Sequence, residues 1–224
     1  MALHLTKLII QSILIFVAIS FTSAWANNNP REDLPYKQAM ELFNNQKFDQ
    51  AITVLNDAIK NNPKEDSYYI LIGRAFERLN NKLKAKEYYK KAIELNTNDV
   101  WAYIGCSTAS EDFAEQEYWA KQAIEKFPYQ STSAVALLNS LYMGQAIQEE
   151  SAGNIEKALR FLEQAKVLIS DYLVILEQTP EDIFEEEMRE ALKKIDKQTF
   201  KKQMEKSLGG LTELEYEWKQ KRTQ

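Results

Sequence analysis

The side chains able to do covalent, acid–base or metal chemistry are few here, and poorly placed for it. His4 is the only histidine among 224 residues, and it precedes a long apolar stretch at the N-terminus. Removal of that stretch leaves no imidazole for a Ser–His or Cys–His nucleophile or for the usual zinc and copper sites. Cys106, the single cysteine, follows Gly105 in the apolar run WAYIGC and reads as a buried, inert thiol. Carboxylates are abundant, but Glu149-Glu150 and Glu185-Glu186-Glu187 fall on solvated helix faces, which argues against a paired-acid hydrolase. There is no glycine-rich phosphate loop and no acidic metal loop. Lys82, Lys84, Lys86, Lys90 and Lys91 alternate with apolar residues, the pattern of a solvated helix face and not of a nucleic-acid stripe. The pairs Tyr68-Tyr69 and Tyr88-Tyr89 have the composition of a ligand cage, yet on helices one of each pair belongs to the core. No catalytic residue, metal site or cofactor is expected.

The elements that position these residues are amphipathic helices. In the stretch Asp66 to Asn96, Tyr69, Ile72, Gly73 and Phe76 recur at i, i+3, i+4, i+7, and Ala85, Tyr89 and Ala92 mark one face of a second helix. The pattern repeats: Ala51 and Ala85, and Ala58 and Ala92, are each 34 residues apart. An earlier unit from Tyr36 carries Ala39, Leu42, Phe48, Ala51, Leu55, Ala58 and Pro63. A later one starts at Trp101, has Ile104-Gly105 and ends at Ala123-Ile124 and Pro128, but Gln116 stands where a small residue is due. This aromatic, Leu-Gly-like, aromatic, Ala…aromatic…Ala pattern at a period of 34 resembles the tetratricopeptide repeat (TPR) family. The resemblance covers about residues 32–169 and is strongest in the first two repeats.

Composition agrees with helices. Glycine (6) and proline (5) are few and aromatics make up 11%, which disfavours both disorder and a β-rich fold. The formal charge of −5 and pI near 5.2 leave no global basic field for nucleic acid. Residues 1–26 differ from the rest: Lys7, the apolar stretch Leu8 to Ala24, then Ser23-Ala24-Trp25-Ala26 with an A-x-A cleavage pattern. That is the signature of a secretory signal peptide, with an uncleaved membrane anchor as the alternative. The expected chain is therefore exported, to a bacterial periplasm or beyond. One cysteine permits no internal disulfide, and no Asn-x-Ser/Thr acceptor is present.

The expected organisation is a signal peptide over 1–26, a polar leader over 27–34, three TPR-like repeats over 35–128, a divergent fourth helix pair over 129–178, and C-terminal capping helices over 179–224. In the fourth pair Tyr142, Ala146, Ala158, Leu162 and Ala165 keep TPR spacing around the turn Ser151-Ala152-Gly153-Asn154, but its helices are longer. Thr179-Pro180-Glu181-Asp182 reads as a helix start. Gly209-Gly210 reads as that helix's end, followed by a short closing helix from Leu211 to about Lys221. The fold class is all-α, a TPR-type right-handed helical solenoid of antiparallel helix pairs with longer C-terminal helices.

The resemblance implies a non-enzymatic protein–protein interaction scaffold or adaptor, binding a partner segment in the concave groove lined by the first helix of each repeat. By position, the groove residues are Tyr36, Met40 and Phe43, then Ile70, Arg74 and Glu77, with Ala102 and Met143 further on. Tyr36 and Met40 occupy the Lys and Asn positions of the clamp by which some TPRs hold chaperone tails, so that activity is not implied. The groove suits a segment with an apolar anchor and one charged contact, from a protein partner of the cell envelope. Self-association is compatible with it. The alternatives are a membrane-tethered adaptor and a carboxylate hydrolase in the C-terminal helices.

Overall fold

A computed structural model of the chain describes residues 33–95, 97–180 and 197–222. Among these residues the regular structure is entirely α-helical: α1 Leu34–Asn44, α2 Phe48–Asn61, α3 Asp66–Arg78, α4 Lys82–Glu94, α5 Val100–Ala109, α6 Phe113–Lys126, α7 Thr132–Ser151, α8 Ile155–Gln178 and α9 Lys197–Arg222. The described residues divide into two compact units, one carrying α1–α6 and the other α7–α9. No helix among the described residues is long and apolar enough to cross a membrane. The proposed signal peptide lies outside the described residues, as does Asn96.

In the first unit each helix packs against the next in sequence, and α3 also touches both α1 and α5. Helix starts are fixed by side-chain caps. Asp33 accepts the Tyr36 N–H at 3.1 Å, Asn81 that of Lys84 at 3.2 Å, and Asp99 that of Trp101 at 2.9 Å. The turns inside three helix pairs share one device. Gln46, Asn80 and Gly153 adopt left-handed φ values of 60°, 58° and 81°, and each is followed by a 2.8 Å amide–carbonyl bond reaching back over the helix end: Lys47 to Leu42, Asn81 to Phe76, Asn154 to Glu149. This closure satisfies carbonyls that a helix terminus would otherwise leave open.

The α5–α6 turn departs from that device, and Gln116 accounts for the departure. The turn holds Ser110 in an extended conformation, φ −80° and ψ 147°. The Gln116 side-chain amide donates to the Ser110 carbonyl at 2.8 Å, and the Ser107 hydroxyl donates to the Gln116 carbonyl at 2.7 Å. A polar residue at the small-residue position thus ties together a turn that lacks a left-handed residue.

The core is made where small residues face large ones. Ala39, Ala51, Ala75, Ala85 and Ala92 have no exposed surface, nor have Leu55, Leu71 and Ile72. Tyr89 of α4 is the central piece. A Cβ at Gly73 of α3 would lie 2.8 Å from one edge of its ring, and a Cβ at Gly105 of α5 would lie 2.4 Å from the other. Only hydrogen fits at both positions, so the ring joins two successive repeats through two glycines. Its hydroxyl donates to Glu77 at 2.6 Å, and the second Glu77 oxygen accepts from the Thr108 hydroxyl at 2.6 Å. One carboxylate therefore links α3, α4 and α5.

An ion cluster ties α4 to α6. Lys86 donates to Glu115 at 2.7 Å, Lys90 lies 3.6 Å from the other oxygen, and the Trp119 indole N–H donates to the same group at 3.4 Å. The Lys86 hydrogen bond holds the Glu115 carboxyl at about 2, against the opposing effect of desolvation.

In the second unit α8 packs against both α7 and α9. α9 corrects the expectation at Gly209-Gly210: the helix runs unbroken through both glycines, so the short closing helix is its second half. The reason lies in the flanks. Met204, Leu211, Leu214 and Trp218 recur at helical spacing and are 1–4% exposed, and burying four such side chains outweighs the roughly 1 kcal/mol that each helical glycine costs. Thr179, read as a helix start, is the C-cap of α8 and donates its hydroxyl to the Ile175 carbonyl at 2.8 Å; residues 181–196, including Glu185-Glu186-Glu187, lie outside the described residues.

Two expected outcomes follow from this packing. Gly105→Ala forces the Tyr89 ring aside and lowers unfolding free energy by about 1–3 kcal/mol in chemical denaturation, whereas Gly144→Ala, where a Cβ meets no atom within 4 Å, is neutral or slightly stabilising. Glu115 has a folded pKa below its ordinary value of 4.5, so its contribution is present above that value and is lost as pH falls toward about 2. Denaturation across that window should show an acid loss of about 1 kcal/mol, small because the pair is partly solvated, and Glu115→Gln should flatten it.

Candidate functional site

Two surfaces of the first unit present side chains that could take a partner. On the first-helix face, Tyr36 and Met40 of α1 are partly exposed and Phe43 beside them is buried at 4% exposure. Arg74 of α3 covers Phe43, with its guanidinium carbon 4.9 Å from the ring centroid. One turn on, exposed Arg78 lies 5.8 Å from the same ring and 5.2 Å from Phe48, whose ring meets Phe43 edge-on at 5.1 Å. Two cations thus share one aromatic pair, an attraction worth about 0.5–1 kcal/mol at exposed sites and more where desolvated. Desolvation draws Arg74 down to about 9, opposed by the fields of Tyr89, Tyr36, Asp99 and Glu77; the group stays a cation at neutral pH.

The residues expected in the groove separate on this geometry. Tyr36, Met40 and Arg74 lie on adjacent helices with surface to offer. Phe43, Ile70 and Ala102 are buried at 4%, 5% and 0% exposure and offer little surface to a partner. Glu77 has both oxygens engaged by Tyr89 and Thr108. Met143 is buried on α7, in the other unit. Arg78 and Thr108 were not singled out in the sequence, since neither falls on a repeat signature position.

The second surface is formed by α2, α3 and α4. Tyr68 and Tyr89 occupy the core at 3% and 1% exposure, while their neighbours Tyr69 and Tyr88 are half-buried and line an opening of about 290 Å³ with Asn56, Ile59, Lys91, Glu94 and Leu95. Ring centroids of Tyr69 and Tyr88 are 6.4 Å apart, and Phe76 lies 5.5 Å from Tyr88. The Lys91 ammonium sits 4.8 Å from the Tyr88 centroid. Burial, with the Glu87 charge and Tyr69, raises the Tyr88 pKa, so its hydroxyl stays neutral. The same aromatic pairing recurs as Tyr103–Trp119 at 6.3 Å and Tyr142–Phe161 at 6.5 Å. That recurrence is a spacing signal the sequence carries, hidden because the partners change type.

Cys106 is fully buried, and desolvation pushes its thiol up to about 12. Among the described residues no cluster of three or more His, Cys, Asp or Glu could hold a metal ion. In the C-terminal helices Glu215 is held by Lys166 at 2.5 Å and by Lys219, and Glu177 by Lys201 at 2.5 Å.

Residues 36–100 match the family model described as the tetratricopeptide repeat. No curated protein matches the chain. Among solved structures it is similar to the MamA protein, at 15% identity and TM-score 0.47 over 82% of this chain and 91% of that one. A thermophilic TPR protein of Thermus thermophilus aligns at 18% identity and TM-score 0.35, covering 80% and 97% of the two chains. PilW, a type IV pilus biogenesis factor, aligns at 15% identity and TM-score 0.30, covering 87% and 93%. At these scores the likenesses carry no argument about activity. Residues 36–100, whose helix pairs and alanine–glycine packing realise the matched pattern, are tetratricopeptide repeats.

Proposed function

We propose that the chain is a non-enzymatic scaffold or adaptor of the bacterial periplasm or cell envelope, holding a segment of a protein partner along the first-helix face of its repeats. The observation that carries this reading is the stack of Arg74 on Phe43 beside partly exposed Tyr36 and Met40. A cation held in place by a ring loses little freedom on binding, and Tyr and Arg are the residue types that dominate protein interfaces. Together they suit a segment with an apolar anchor for Tyr36 and Met40 and a carboxylate for Arg74 or Arg78. TPR repeats bind protein partners in general, which is the role the family supplies. Export rests on the charged, apolar and A-x-A pattern of residues 1–26. Cleavage there releases a chain beginning at Asn27; an uncleaved N-terminus gives the membrane-tethered adaptor instead.

The test is a photo-crosslinking amino acid at position 40 in cells of the native host. One envelope protein should be captured, and Arg74→Gln or Tyr36→Ala should reduce capture about tenfold with the helical circular dichroism unchanged. Capture indifferent to both substitutions would remove the first-helix face as the binding surface. Mass spectrometry of the exported form should find Asn27 first; an intact Met1 would establish the tether.

A further inference from the structure

The opening between α2, α3 and α4 has a counterpart one repeat later, and the counterpart is filled. Asn56, Ile59 and Tyr69 have Lys90, Ile93 and Tyr103 one 34-residue period on. Helix α5 is three residues shorter than α3, so on the second helices Tyr88, Glu94 and Leu95 correspond to Trp119, Glu125 and Lys126, 31 residues on. The aromatic pairs match, at 6.4 and 6.3 Å. In the later site each ring carries a cation. Lys90 lies 5.6 Å from the Trp119 centroid. Lys126 lies 5.1 Å from that of Tyr103 and donates to the Tyr103 hydroxyl at 2.8 Å, within the field of Glu125.

The earlier site repeats half of this. Lys91 covers Tyr88 at 4.8 Å, as Lys90 covers Trp119. Tyr69 is half-buried, with its hydroxyl donated to the Pro63 carbonyl at 2.9 Å. The position that would supply its cation is Leu95, and exposed Glu94 stands where Glu125 stands. The about 290 Å³ opening at this point admits one side chain. That two cations are tolerated on one such aromatic pair is shown by Lys90 and Lys126.

We propose that this opening binds the guanidinium or ammonium group of an Arg or Lys side chain from a partner protein segment, laid on the Tyr69 ring and paired with Glu94, in the place that Lys126 fills one repeat later. The site is on other residues than Tyr36, Met40 and Arg74, so it stands independently of the groove reading and gives the scaffold a second, oppositely selective contact.

The experiment is NMR on the isotope-labelled full chain at low ionic strength, titrated with ethylguanidinium and, separately, with its neutral analogue ethylurea. Ethylguanidinium should give saturable shifts centred on Tyr69, Tyr88 and Glu94, and ethylurea none. Glu94→Gln and Tyr69→Leu should each weaken binding about threefold. Leu95→Lys should abolish it by supplying the cation within the chain. A capped five-residue peptide with a central arginine should bind more tightly than ethylguanidinium. Non-saturating shifts, an equal response to ethylurea, or a response unchanged by Leu95→Lys in a folded protein would overturn the site. A peptide weaker than ethylguanidinium would overturn the protein partner in favour of a free organic cation.

Discussion

The Tyr89 ring lies between two backbones that come too close for any side chain but its own. Gly73 below and Gly105 above leave a slot of one aromatic thickness, and the ring fills it with 1% of its surface exposed. Close packing of this kind is rigid, because a void or a methyl group in excess is felt at once. The spacing between the second and third repeats is therefore set by a ring and not by a loop. The hydroxyl extends that constraint into a polar one through Glu77 and Thr108. Burial, followed by the charge and hydrogen bond of Glu77, raises the Tyr89 pKa well above its ordinary value, so the group remains a donor at any pH the fold meets.

The two candidate surfaces flank that slot on α3. Arg74, one residue after Gly73 on α3, stacks on Phe43 of α1 on one side. Tyr88, the neighbour of Tyr89 on α4, meets Tyr69 of α3 at 6.4 Å on the other. The side chains offered to solvent inherit their precision from the helices that carry them, the condition under which contacts are selective without being large.

Much of this was legible in the sequence, and the exceptions have identifiable causes. The helix pairs, the alanines and the glycines were readable because small residues at a fixed period have one common explanation, close helix approach. The division of Tyr68-Tyr69 and Tyr88-Tyr89 between core and surface was readable, and Tyr89 takes the core place its spacing marks. In the first pair Tyr68 and not Tyr69 is the buried member, a difference of helix rotation by a fraction of a turn. Tyr89 could be placed in the core, yet its contact with Gly105 could not, because it crosses from one repeat to the next. Gln116 looked like decay of the pattern and is instead the prop of a turn without a left-handed residue. Gly209-Gly210 was a local stop signal overruled by Leu211, Leu214 and Trp218, whose burial is a property of the neighbouring helix α8.

Cys106 shows what deep burial does to a reactive group. With its pKa at about 12, the thiolate fraction at neutral pH is on the order of one in 100,000, and the sulfur has no exposed surface. Neither an oxidant nor a disulfide exchange partner can reach it while α5 is packed. The folded chain is in that respect indifferent to the redox state of its surroundings.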